Sequence, residues 1–190
     1  MSASNTALIL IDLQNDYFPG GAMELVGTIA AGKQASKLLA AFRRKALPII
    51  HVQHIAARAG ATFFLPDTEG AKIHECVLPK DGEVVIQKHF PNSFRETSLL
   101  DHLRKTQVTR LVIAGMMTHM CVDTSVRAAA DLGFDCLLAH DACATRAQSF
   151  NGIAVPAESV SAAFLAAING AFAKVLSADE ICAELLQVAK

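Results

Sequence analysis

The stretch VIAGMMTHMCVDTSVRAAADLG (residues 112–133) decides how this chain folds. It opens on a β-branched, apolar run, Leu111-Val112-Ile113-Ala114, that reads as a buried strand. It closes on Val122, Val126, Ala129 and Ala130, spaced three and four apart as on one face of a helix. Between them Gly115 marks a turn and Thr118 is the expected N-cap, which puts Cys121 in the first helical turn. Free backbone N–H groups and the positive end of the helix dipole favour a thiolate there. A strand, a tight turn and a helix with a cysteine at the junction form one βα unit of a parallel sheet.

Working outward, the same alternation covers the chain. Strands are expected at residues 7–13 (ALILIDL), 48–52 (PIIHV), 84–87 (VVIQ), 134–139 (FDCLLA) and 174–177 (KVLS). Helices are expected over residues 28–45, around Leu99 and Leu103, from Pro156 along Val160, Phe164 and Ile168, and in the closing ADEICAELLQ. About six parallel strands with helices on both faces make a three-layer, doubly wound, Rossmann-like α/β fold, and the 190 residues fit a single domain spanning 1–190. The loop over residues 54–82 is long and without period, the kind of segment that carries function in compact domains.

Bulk chemistry narrows the partners. Hydrophobic residues make up 52% and charged residues 18%, with a net charge of -1, so no electrostatic footprint for nucleic acid or an anionic membrane is present. No apolar run approaches the roughly 20 residues of a membrane helix, and the start lacks a basic segment with a cleavage site. Five cysteines, odd in number and without a CxxC, fit a reducing compartment, and a cytoplasmic protein is expected.

Doubly wound sheets bind ligands beyond the carboxyl ends of their strands. Three polar groups fall at such exits: Asp12, Lys88 and Cys121. A thiol working as a nucleophile needs a base, a counter-charge and donors for a developing oxyanion. Asp12 suits the first role, Lys88 the second and the turn before Cys121 the third. Gln14, two residues after Asp12, is expected to share its face and touch substrate; Phe64, Phe94 and Thr118 are candidates for the pocket wall. His51 and His54 point to opposite faces of an extended strand, a poor arrangement for joint ligation, so neither metal nor cofactor is expected.

Four stretches, LILIDLQNDYF, QKHFPNSF, GMMTHMCVDTSVRAAADLGF and HDACATR, occur in an order that resembles the isochorismatase-like cysteine hydrolase superfamily, over about residues 6–176. The resemblance implies a catalytic Asp12–Lys88–Cys121 triad, a cis peptide at Met116–Met117 and an oxyanion hole from the N–H groups of Met117 and Cys121. It implies hydrolysis of a small amide, carbamoyl or ureido compound through a thioester. Members that cleave the vinyl ether of isochorismate with the acid alone commonly lack the cysteine, so the presence of Cys121 favours the amidase branch. Ether hydrolysis by Asp12 alone and a non-catalytic binding role on the same fold are the alternatives. The Asp-x-His metal signature of the nicotinamidase members is absent from IIHVQHIAARAG (residues 49–60). The resemblance and the alanine-rich helices point to a homo-oligomer acting on a small molecule.

Overall fold

The computed structural model describes residues 5–187; residues 1–4 and 188–190 of the expected domain lie outside the described residues. Six parallel strands form the central sheet: β1 (Thr6–Ile11), β2 (Ile49–His54), β3 (Val84–Lys88), β4 (Arg110–Met116), β5 (Asp135–Ala144) and, after two short strands, β8 (Lys174–Leu176). Their order, β3-β2-β1-β4-β5-β8, reverses its winding between β1 and β4. This is the doubly wound arrangement expected from the βα alternation.

The two central strands, β1 and β4, are buried almost throughout because both faces are covered. Alternate residues of β1 feed two separate cores. Leu8 and Leu10 pack with Leu38 and Phe42 of α1 (Thr28–Arg44) and with Ile181 and Leu185 of α5 (Ala178–Gln187). Ala7, Ile9 and Ile11 pack with Leu99 and Leu103 of α2 (Leu99–Lys105), with Val126 of α3 (Asp123–Asp131) and with Ile168 of α4 (Ala157–Ile168). Among the described residues no helix is long and apolar enough to cross a membrane.

Two features depart from the sequence reading. FDCLLA was expected to end a strand at Ala139, but β5 bulges outward and rejoins β4 at Gly115↔Cys143 and Met116↔Ala144. The polar His140 and Asp141 hide this continuation from any apolar pattern. The other departure is an antiparallel hairpin, β6 (Gln148–Phe150) with β7 (Ile153–Val155), where no element was expected.

Gly115 fixes how closely β4 approaches β1. Its φ is +140°, and a Cβ there would lie 2.0 Å from the Ile11 carbonyl oxygen. Only glycine fits, and the two strand ends that flank the winding reversal are thereby held against each other.

Candidate active site

The site is built at the carboxyl ends of β1, β2, β3 and β4. Asp12 follows β1 directly and leaves the extended conformation with φ +52°, a left-handed turn that aspartate tolerates better than most residues. Register does the rest. Ile11 pairs with Val52 and Gly115, and His54 pairs with Lys88, so four strand ends finish at one level.

At that level Lys88 Nζ donates to Asp12 Oδ2 at 2.7 Å, and both side chains are fully buried. The same ammonium lies 2.9 Å from His54 Nδ1. A carboxylate oxygen of Asp12, a ring nitrogen of His54 and the Cys121 sulfur all lie within 4.8 Å of one another. Asp12 Oδ1 is buried and, among the described residues, has no hydrogen-bond donor of its own, which leaves it as the acceptor available to the thiol proton. The expected convergence of Asp12, Lys88 and Cys121 is therefore present in space, and His54 joins it.

Protonation follows from the surroundings. Burial alone would lower the Lys88 ammonium, but the charge of Asp12, together with the hydrogen bonds to Asp12 and Cys121, holds it above its ordinary value. Burial and then the neighbouring Lys88 charge push the His54 imidazole down to about 4. Lys88 has no lone pair to offer, so Nδ1 of neutral His54 accepts and its proton sits on Nε2. Burial, with the Asp12 carboxylate adding to it, raises the Cys121 thiol well above the ordinary range despite Lys88. This corrects the expectation of a thiolate favoured by the helix start and the lysine: desolvation and the adjacent anion win, and the resting group is a thiol.

Residues 118–122 form a single π-helical turn, with Met117 rather than Thr118 preceding it, before α3 begins at Asp123. Thr118 caps nothing. Its hydroxyl is buried and donates to Ala144 O at 3.2 Å, tying the turn to β5. The Met116–Met117 peptide is cis. Of the residues expected to supply the oxyanion hole, Met117 precedes this turn and Cys121 lies within it, and both are buried.

The remaining pocket candidates are placed differently from expectation. Gln14 is fully buried and its amide is saturated: Nε2 donates to His54 O (2.8 Å) and Ala71 O (2.7 Å), and Oε1 accepts from His54 N (2.8 Å). The face-sharing argument failed because the left-handed turn at Asp12 breaks the two-residue alternation. Gln14 holds the end of β2, and with it His54, rather than substrate. Phe64 is buried behind the site, its ring 4.6 Å from Tyr17 and 5.8 Å from His54. Phe94 packs in the core beside Phe134. A cavity of about 270 Å³ opens beside His54, and its aromatic wall is Phe63, the neighbour of the residue expected.

The long loop is sewn down over this region. Asp16 accepts from Phe64 N (2.6 Å) and Ala22 N (3.1 Å), and Asn15 N and Asp16 N donate to Lys72 O and Gly70 O. A Cβ at Gly70 would lie 2.1 Å from the Asp16 carboxylate.

Asp12, His54 and Cys121 have the spacing of a metal-binding set. The Lys88 ammonium, however, already donates to two of the three and acts as the cation of the cluster. An ion would have to displace it.

Residues 6–180 match the isochorismatase domain family. A solved isochorismatase hydrolase structure from Oleispira antarctica superposes with a TM-score of 0.93 at 52% identity, covering 96% of this chain and 98% of that one. YddQ, an uncharacterized isochorismatase family protein of Bacillus subtilis (strain 168), is 48% identical over 174 residues, 92% of this chain and 97% of its own. Maleamate amidohydrolase of Pseudomonas putida is 30% identical over 154 residues, 74% of this chain and 72% of its own.

Proposed function

The chain belongs to the isochorismatase family of hydrolases, and we propose that it is a cysteine-dependent amidohydrolase of a small amide, carbamoyl or ureido compound. The observation that carries this reading is a buried thiol within reach of a carboxylate whose second oxygen is held by an ammonium. The similarity to maleamate amidohydrolase supports the same reaction class.

On this reading Asp12 takes the thiol proton as the Cys121 sulfur attacks the carbonyl carbon. A buried thiolate is unfavourable beside Asp12, so proton transfer and attack belong together once substrate is seated. The carbonyl oxygen becomes an oxyanion, received by the N–H groups of Met117 and Cys121. As the tetrahedral species collapses, the C–N bond breaks and Asp12 returns the proton to the leaving nitrogen. The acyl group remains on sulfur as a thioester. Water then gives a proton to Asp12 and its oxygen to the carbonyl carbon; the C–S bond breaks, the acid leaves, and Asp12 returns that proton to the sulfur to restore the thiol. Lys88 stays protonated throughout and keeps Asp12 from being an isolated buried anion. Exposed apolar side chains at Val26, Ile29, Phe150 and Ile153 support self-association of the chain around this activity.

The test is a panel of small amides and ureido compounds with mass-spectrometric detection of an acyl adduct on Cys121. The adduct is expected with any substrate that is turned over, and neither adduct nor turnover survives in Cys121→Ala. Turnover of a vinyl ether by Cys121→Ala, lost in Asp12→Asn, would replace the amidase reading with acid-only chemistry.

A further inference from the structure

The cavity beside His54 has a chemical bias of its own. About 270 Å³ in volume, it lies between the start of the long loop and the segment following β3. Its walls are mostly apolar or small, including Phe63 and Met120, and three of its four polar side chains, Arg58, Thr62 and His54, can donate to an anion. The Arg58 guanidinium stands at its rim, exposed and, among the described residues, without an ion-pair or hydrogen-bond partner. The Thr62 hydroxyl lines the wall. His54 presents the Nε2–H that remains once Nδ1 has accepted from Lys88. His89 is anchored by donating from Nδ1 to Ile55 O at 2.8 Å. No acidic side chain is among the described residues lining it.

A neutral amide would need no such environment. An arginine fork over a small, largely apolar chamber matches a carboxylate in shape and charge, and Arg58 has no internal anion to satisfy. We propose that this cavity is the acyl-side subsite of the enzyme and takes a short chain ending in a carboxylate, gripped by Arg58, with His54 at the end of the chamber nearer the thiol. The substrate class is thus the monoamide or monoureide of a small dicarboxylic acid. This identification rests on the amidohydrolase reading of the Asp12–Lys88–Cys121 cluster, but the subsite itself is testable without turnover.

The experiment has two arms, both on the intact chain. In the first, succinamate and its methyl ester are compared as substrates of the wild type, Arg58→Gln and Arg58→Lys. The acid is expected to have at least a tenfold higher kcat/KM than the ester in the wild type. Arg58→Gln brings that ratio to about one through KM, with kcat nearly unchanged, and Arg58→Lys recovers part of it. Arg58 is exposed in a loop, so these substitutions leave the fold intact. In the second arm, succinate is titrated calorimetrically into wild type and Arg58→Gln at low ionic strength, with binding expected to weaken at least tenfold in the variant. Equal use of acid and ester by the wild type, or succinate binding that is absent or indifferent to Arg58→Gln, would overturn the proposal. Arg58-dependent succinate binding with no amide turned over and no acyl adduct on Cys121 would uphold the subsite and dismiss the amidase reading instead.

Discussion

Two histidines three residues apart on β2 sit in clusters of the same composition and do opposite things. His51 and His54 each meet one carboxylate and one cation, on opposite faces of the strand as their spacing requires. On the α1 face Arg43 grips Glu83 through Nε (2.7 Å) and the other guanidinium nitrogen (2.9 Å), and His51 Nε2 lies 2.9 Å from Glu83 Oε2. Arg43, by its hydrogen bond, holds the Glu83 carboxyl down to about 2, so the carboxylate only accepts and His51 donates from Nε2. Nothing in that cluster is left to react, apart from a bare, buried Nδ1. On the other face the histidine is attached to the cation instead. His54 has the same tautomer, but its Nδ1 is used and its Nε2–H stands beside a cavity. A closed charge cluster clamps elements together, whereas an open one presents unused donors and acceptors to a ligand.

The contrast can be broken most forcefully at the two carboxylates. Asp12→Asn is expected to lower kcat by roughly 10³–10⁴-fold, the usual scale for losing a proton-transfer group that acts in concert with a nucleophile. It also strands the fully buried Lys88, at a cost of about 3–5 kcal/mol in a urea titration. Glu83→Gln makes the equivalent change in the closed cluster. It should lower stability by about 1–3 kcal/mol while leaving kcat unchanged, because among the described residues the Glu83 carboxylate bonds only Arg43, His51 and the Lys80 N–H. A large loss of activity in Glu83→Gln would erase the distinction between the two clusters.

Acid titration sharpens it further. His54, held near 4, remains neutral in the folded chain while the unfolded chain binds a proton near 6.5. Between those values the unfolded state holds more protons, so stability falls as pH falls from 6.5 to 4. His51, also lowered by burial, adds to that window. Glu83, held near 2 against an ordinary 4.5, adds a second loss from pH 4.5 down to 2. Melting temperature against pH should therefore show two windows: His54→Asn shrinks the upper one, leaving the part His51 supplies, and Glu83→Gln flattens the lower. The smallest effect is Arg43→Lys, which keeps the charge but loses the paired nitrogens, at about 1 kcal/mol of stability.

How much of this was legible in the sequence depends on the range of the interaction. Strands buried on both faces and amphipathic helices declare themselves locally, so the alternation, the sheet and the three strand exits at Asp12, Lys88 and Cys121 were readable in order. His54 was not, because nothing beside it marks it. Its place at Lys88 is set by the pairing of β2 with β3, and by Gln14 reaching across to its backbone. Gln14 departs from its expected place for a related reason: alternation holds only while the chain stays extended, and Asp12 leaves that conformation. The Thr118 cap failed because the turn there is π-helical, a geometry with no distinct sequence mark. The resting thiol could not be foreseen either, since the balance of desolvation against Lys88 and Asp12 exists only once all three are folded together.

The stitching of the long loop onto Asn15 and the Asp16 backbone and carboxylate has a kinetic consequence. With its walls already in place, the chamber asks no folding of a visitor, so capture is a single bimolecular encounter. Its observed rate should climb in proportion to ligand concentration, with no plateau set by a slow rearrangement.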